Sequence, residues 1–244
     1  MKLTVVGTFG PYPPAGGACS GFLLEENDCK VLLDCGNGVL SRLQKYISLW
    51  DIDAIFISHL HSDHVSDLFI LRYAYHIAQI KHKIDRSLDV YIPPYPEEEA
   101  QKIPFKNAYN VHHMVPEEKV ELGPFEFSFL PGVHPVYSLA MKIKCGDKSL
   151  VYSGDTELYE ELGGFIKGTN LFLCEANYQN EDMKDSPGNH LSAYQAGELA
   201  SNNNVGRLLL THLPAGRNLH TSQDEAREVF SNSELALEEE SYYI

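Results

Sequence analysis

Residues 55–64 read Ile55-Phe56-Ile57-Ser58-His59-Leu60-His61-Ser62-Asp63-His64. The apolar residues Ala54 to Ile57, bounded by the polar Asp51 and Asp53, predict a short buried strand. From Val65 to about Lys81 there is no Gly or Pro, and Leu68, Leu71, Tyr75 and Ala78 recur every three or four positions, which predicts an amphipathic helix. Three histidines and an aspartate therefore fall on the turn between a strand's end and a helix's start. Neutral imidazole and carboxylate are the donors that a cation such as zinc takes, and rings at alternate loop positions can converge on one ion. Asp63 and His64 are adjacent and are expected to point away from His59 and His61. Four donors on six residues crowd the space around a single ion, so the spacing favours two. A solvated, His-rich turn is the bland alternative, and it leaves the order of strand, donors and helix unexplained.

On the N-terminal side, residues 2–7, Gly21–Glu25 and Lys30–Leu33 read as strands, the last running into Asp34-Cys35-Gly36, and Val39–Tyr46 reads as a short helix. On the C-terminal side, strands are expected at Leu88–Ile92, Phe125–Leu130, Leu171–Leu173 and Arg207–Leu210, with a hairpin of Ser138–Lys144 and Ser149–Tyr152 through Gly146-Asp147. Helices are expected at Glu97–Lys102, at Ser192–Asn202 with Ser192 as N-cap, and at Ser222–Phe230. Residues 103–118 show no clear period, and a polar loop spans Asn180 to Asn189. One regularity runs through the chain. His59, His134, Asp155, Glu175 and His212 each follow an apolar strand closely, and in open α/β architectures a site gathers beyond the strands' carboxyl ends. The expected arrangement is two strand-rich halves, about 1–120 and 121–244, of one α/β domain spanning 1–244, with helices outside and the donors at the seam.

The totals bound the partners. The chain has 244 residues and a formal net charge of −15, with 19 basic side chains and no conspicuous run of them. Extended nucleic acid, which is bound through clustered Lys and Arg, is therefore a doubtful partner. A small anion is not excluded, because divalent cations invert the charge locally. No apolar run approaches the length of a membrane span, and residues 1–7 show no apolar signal segment, so none is expected. Five scattered cysteines, at 19, 29, 35, 145 and 174, fit reduced thiols rather than a disulfide framework. A cytoplasmic location is the expectation. His76, His82, His112, His113 and His220 read as surface or packing residues.

Taken together, Asp34 after a strand, His59-x-His61-x-Asp63-His64, His134, Ser153-Gly154-Asp155-Thr156 and Leu209-Leu210-Thr211-His212 resemble, in order, the five motifs of the metallo-β-lactamase superfamily. The resemblance runs from about residue 3 to about residue 220. It implies an αββα sandwich of two mixed sheets with helices on the outer faces, holding two zinc ions, with manganese or iron as alternatives. His59, His61 and His134 would hold the first ion, Asp63, His64 and His212 the second, and Asp155 would bridge them. Asp34 would support the ligands rather than bind metal.

Within the superfamily the chain resembles the ribonuclease Z branch in Val6-Gly7-Thr8 with its Pro-rich loop, in His61, and in Glu175-Ala176-Asn177 followed by His190-Leu191-Ser192. Glu175 and His190 would then protonate a leaving group. The long RNA-gripping arm and the basic loop of the transfer-RNA enzymes are not found, and Glu97-Glu98-Glu99 makes the segment between His64 and His134 acidic. The resemblance thus implies a dinuclear-zinc phosphodiesterase acting on a small, cyclic-nucleotide-like phosphodiester, with Asp63, Glu175 and His190 as catalytic residues. A transfer-RNA 3′-end endonuclease and a lactone or thioester hydrolase are the alternatives, followed by a metal-binding protein without turnover. Relatives of this branch are often homodimers, which leaves a homodimer open.

Overall fold

Strands that are apolar on both sides must be covered on both faces, and the segments around residues 3–7, 21–24 and 31–33 are of that kind. In β-structure Phe22 and Leu24 point one way and Leu23 the other. All three are fully buried, so two cores are needed, one on each side of the sheet. A computed structural model describes residues 1–185 and 188–244. Ser186 and Pro187, within the polar 180–189 loop, lie outside the described residues.

In chain order the elements are β1 (Lys2–Gly7), β2 (Phe9–Gly10), β3 (Gly21–Glu26), β4 (Cys29–Leu33), α1 (Val39–Leu43), β5 (Ala54–Phe56), α2 (Ser62–Val65), α3 (Leu68–Ile80), β6 (Leu88–Ile92), α4 (Glu97–Ala100), β7 (Tyr109–His113), β8 (Val120–Leu122), β9 (Phe125–Pro131), β10 (Leu139–Cys145), β11 (Lys148–Tyr152), α5 (Glu160–Ile166), β12 (Leu171–Glu175), α6 (Ala193–Asn202), β13 (Arg207–Thr211), β14 (Leu213–Pro214), α7 (Leu219–Val229), β15 (Ser233–Leu235) and β16 (Ser241–Tyr243). One seven-stranded sheet has the order β16-β1-β3-β4-β5-β6-β7 and the other β15-β13-β12-β11-β10-β9-β8. Both are mixed. β1, β3 and β4 are antiparallel while β4 to β7 are parallel. In the second sheet β8 to β11 are antiparallel and β11, β12, β13 and β15 are parallel.

Three apolar clusters make four layers. Leu3, Phe22, Leu33 and Phe56 of the first sheet meet Phe127, Met141, Tyr152 and Leu173 of the second between the sheets. Leu23, Leu32 and Ile55 turn outward onto α1 and α3, and Phe172, Leu208 and Leu210 turn outward onto α5, α6 and α7. Each large side chain buried in these layers contributes about 1.5–3 kcal/mol. The αββα expectation is met. Ser192 caps α6 as expected, with its side chain accepting from Gln195 N and Gln195 bonding back.

Several local readings differ. The expected helix from Val65 to Lys81 is split into α2 and α3. The His64 carbonyl accepts from Cys35 N (2.9 Å) and Asp67 N donates to the Cys35 carbonyl (3.1 Å), so the ladder is diverted where the helix touches the turn after β4. The last helix starts at Leu219 rather than Ser222, because the Asn218 side chain accepts from His220 N. The aperiodic 103–118 segment contains β7, an edge strand whose polar residues face solvent and so carry no apolar alternation. Helix α1 stops at Leu43, short of Tyr46. Strands β8, β15 and β16 are three residues each, too short for a periodic signal.

Candidate metal centre

The carboxyl ends of β4, β5, β11, β12 and β13 bring Asp34, the 59–64 turn, Asp155, Glu175 and His212 to one place. At His61 the chain is extended (φ −67°, ψ 149°), and α2 begins at Ser62. The change from extended to helical backbone fans the side chains out. His59 and His61 go to one side, and Asp63 and His64 to the other, as the crowding argument expects.

On the first side, His61 Nδ1 lies 3.0 Å from His59 Nε2 and 3.1 Å from His134 Nε2, while Asp155 Oδ2 lies 3.6 Å from His59 Nε2. On the second side, His212 Nε2 lies 3.1 Å from Asp63 Oδ2 and 3.2 Å from Asp155 Oδ2, and His64 Nε2 lies 3.5 Å and 3.4 Å from the same two oxygens. Donors at zinc-like bond lengths around a tetrahedral ion are about 3.3 Å apart. Both sets have that spacing, and both use Asp155 Oδ2. His64 Nε2 and Asp155 Oδ1 are buried polar atoms without a hydrogen-bond partner among the described residues, which such a buried pair rarely tolerates. The donor types, spacing and orphaned atoms fit divalent metal, and each set could hold an ion.

Surrounding groups fix the rings. Asp34, buried at the end of β4, accepts from Ser58 N (2.7 Å), Ser58 Oγ (2.8 Å), Tyr152 OH (2.6 Å) and His64 Nδ1 (2.7 Å). That places the His64 proton on Nδ1 and leaves Nε2 for the ion. The Asn189 carbonyl does the same for His134, accepting from Nδ1 at 2.9 Å. Asp34 and His212 both have left-handed backbone (φ 57° and 52°), an uncommon conformation that turns each side chain inward from a strand end. Two glycines admit the close packing. A Cβ on Gly10 would stand 1.9 Å from His212 Nε2, and one on Gly36 would stand 1.9 Å from the Asp63 carbonyl.

The electrostatics of five donors agree with these roles, and His64 stands apart. Burial, with the neighbouring imidazoles, holds His59, His61 and His134 below the usual histidine range and keeps them neutral, the form that binds metal. Burial opposes ionisation of Asp155, but His212, His64 and His59 outweigh it and hold its pKa well down. Asp63 is also held down, by His212 and His64 against burial. Burial acts to lower the pKa of His64, yet Asp155 and Asp34 raise it.

Another buried carboxylate lies beside the donors. Glu175 Oε1 accepts from Thr156 N (2.7 Å) and His190 Nδ1 (3.0 Å), and Oε2 accepts from Leu191 N (3.3 Å) and Asn177 N (3.4 Å). Both oxygens accept, so the proton of the Glu175–His190 pair resides on the ring. Burial works against the imidazolium, but Glu175 prevails and His190 is pushed up to about 9. His190 lines a cavity of about 270 Å³ together with Pro11, His61, Ser62, Asp63, Asp155 and His212.

All ten residues singled out from the sequence thus meet here, counting Asp34 with the donors and the Glu175–His190 pair. His76, His82, His112, His113 and His220 belong to none of the donor groups. Ser58, Tyr152, Asn189 and Gly10 escaped the sequence reading, since a serine, a tyrosine, a backbone carbonyl and a glycine have no distinctive spacing. Asn177 has no role of its own in that reading. Its Nδ2 donates to the Gly10 carbonyl (2.9 Å) and the His212 carbonyl (3.0 Å), tying β2 to the His212 turn. All five cysteines are free, and no helix among the described residues is long and apolar enough to cross a membrane.

Comparison with known proteins follows the same lines. A profile of the metallo-beta-lactamase superfamily matches residues 14–221. The chain is 34% identical over 231 residues to the probable metallo-hydrolase YhfI of Bacillus subtilis, covering 95% of this chain and 94% of that one. The crystal structure of YhfI superposes with a TM-score of 0.92 over 99% of this chain and 98% of that one, at 32% identity. Ribonuclease Z of Picrophilus torridus is 25% identical over 295 residues, covering 98% and 94% of the two chains. The short form of human tRNase Z shares the fold, with a TM-score of 0.77 over 100% and 99% of the chains at 20% identity.

Proposed function

The chain belongs to the metallo-beta-lactamase superfamily as one of its metallo-hydrolases, and on that premise we propose that it hydrolyses a small phosphodiester at two zinc ions. His59, His61 and His134 would hold one ion and Asp63, His64 and His212 the other, with Asp155 within reach of both sets; manganese or iron would suit the same donors. The observation that carries the reading is the Glu175–His190 contact of 3.0 Å on the wall of the cavity that also holds Asp63, Asp155 and His212. An ester of an alcohol leaves as a poor alkoxide and needs a proton, and a histidine kept protonated by a buried carboxylate supplies one.

Divalent ions at this site would supply Lewis-acid stabilisation of the phosphoryl oxygens and lower the pKa of water. The chain's own groups do the rest. The Asp63 carboxylate orients the attacking water and takes its proton. Attack on phosphorus breaks the bond to the leaving oxygen, and His190 delivers its proton there. Glu175 holds the ring by Nδ1 and so directs the other nitrogen to the cavity. A thioester's thiolate needs no such acid, which favours phosphodiester over thioester. An RNA substrate is disfavoured by the net charge of −15 and by Glu97, Glu98 and Glu99, which line a second cavity that also touches His61.

The test is a panel of bis-p-nitrophenyl phosphate, a cyclic nucleotide, an acyl lactone and a precursor transfer RNA, assayed with zinc-loaded protein. Turnover of the first two, abolished together with metal content in His61→Ala, is expected. Turnover of the lactone or the RNA alone would overturn the assignment.

A further inference from the structure

The cavity beside His190 is one lobe of a longer groove. His61 and Ser62, which line it, also line a second cavity of about 480 Å³, so the two adjoin at the turn that carries the first donors. The first lobe, about 270 Å³, is lined by ionisable side chains and suits a phosphoryl group. The second falls in the range of small-molecule sites, about 300–1,000 Å³. Leu60, Pro96 and Val136 give it an apolar wall. The segments that carry Pro96 and Val136 brace one another through their chain neighbours, since the rings of Tyr95 and Tyr137 meet edge to face with centroids 6.0 Å apart. His190 lines the first lobe and not the second.

Glu97, Glu98 and Glu99, on the first turn of α4, complete the lining of the second lobe. Lys102 Nζ, 2.6 Å from Glu99, offsets one of these charges. Glu97 accepts from the neutral Gln101 amide at 2.9 Å, and neither Glu97 nor Glu98 forms an ion pair among the described residues. The lobe therefore combines an apolar wall with uncompensated negative charge. An uncharged apolar group gains by leaving water there. A group with a negative charge of its own is repelled, the more strongly because the apolar wall concentrates the field.

Resting on the phosphodiesterase reading above, we propose that the second lobe takes the substituent that stays on phosphorus, and that it selects an uncharged apolar group, such as an aromatic ring, over one bearing a further negative charge. His190 decides which ester arm this is. The oxygen that it protonates leaves on its own side, and the lobe that it does not line is open to the other arm. The substrate class narrows to diesters with a single negative charge.

Three diesters with the same p-nitrophenolate leaving group test this on the zinc-loaded protein: methyl, phenyl and 4-carboxyphenyl p-nitrophenyl phosphate. The wild type prefers phenyl to methyl in kcat/KM by at least roughly tenfold. It disfavours the carboxyphenyl ester relative to the phenyl ester by roughly fivefold at low salt, a gap that narrows as salt rises. Val136→Trp fills the lobe and removes most of the phenyl preference. Glu97→Gln with Glu98→Gln closes the gap between phenyl and carboxyphenyl. A wild type indifferent to the retained group overturns the proposal, as does a Val136→Trp variant that keeps the full phenyl preference or a double glutamine variant that still rejects the carboxylate. In each of these cases p-nitrophenolate is still released and the phosphodiesterase reading stands. Release from none of the three esters removes both.

Discussion

Asp34 and Glu175 are two buried carboxylates doing nearly the same thing on different sheets. Each sits at the end of a strand of its sheet, each accepts four hydrogen bonds, and each holds a histidine by Nδ1, at 2.7 Å for His64 and 3.0 Å for His190. The difference lies at the far side of the ring. His64 is fully buried, and its Nε2 faces Asp63 and Asp155, whereas the His190 side chain keeps 16% exposure and lines a cavity. The same carboxylate–imidazole unit is suited to binding an ion in one place and to releasing a proton in the other. What the second nitrogen meets decides which.

The sharpest way to break the comparison is to remove each carboxylate's task. Asp34→Ala strands donors from Ser58, Tyr152 and His64 in a dry site, and should cost about 3–5 kcal/mol along with most of the bound metal. Chemical denaturation and metal analysis would read both, and a variant that keeps full metal content would place Asp34 outside the support of the site. His190→Ala should instead keep its metal and lose roughly 10²–10⁴-fold in kcat on substrates with poor leaving groups, with little loss for p-nitrophenolate. Equal losses on both kinds of substrate would deny it a proton-donating role.

Glu175→Gln tests the electrostatics of the second unit. With its pKa raised to about 9, His190 is protonated below that pH and loses its proton above it, so activity falls as pH rises through the alkaline limb. Cations at the adjacent donors move that limb downward but do not reverse its sign. Without the Glu175 charge the pKa drops towards the ordinary value of about 6.5, and the limb should shift to lower pH, with the loss larger at pH 8 than at pH 6. An unshifted limb would separate Glu175 from the titration. The smallest effect is expected for Tyr152→Phe, which removes one of four donors to Asp34 and should cost about 1 kcal/mol with metal content retained. A loss of metal there would mean that the Tyr152 hydroxyl matters more than one hydrogen bond.

The two units were not equally legible. His59, His61, Asp63 and His64 stand within six residues, so their chemistry is visible without a fold. His134, Asp155 and His212 are single residues, and only their recurrence after apolar strands marks them. The αββα layers were readable because β3 and β4 are apolar on both faces. The exposed Ile70, Tyr73, Ile77 and Ile80 of α3 were missed, since Leu68, Leu71, Tyr75 and Ala78 already satisfied the periodic pattern and a second apolar face adds nothing to that test. The split after Val65 and the start of α7 at Leu219 depend on which backbone group a distant residue or a side chain claims, and no local pattern records that. Tyr152 and Asn189 support the donors through one hydroxyl and one carbonyl, functions that any neighbouring residue type could mask.

Asp155 presents a single oxygen to both donor sets, 3.6 Å from His59, 3.4 Å from His64 and 3.2 Å from His212. Two tenants of a shared wall are not independent. Were two cations to load, the first to arrive would repel the second across a few ångströms. Loading would therefore proceed in two unequal stages, and a preparation with half its full complement would be a population of singly filled molecules rather than a mixture of empty and full ones.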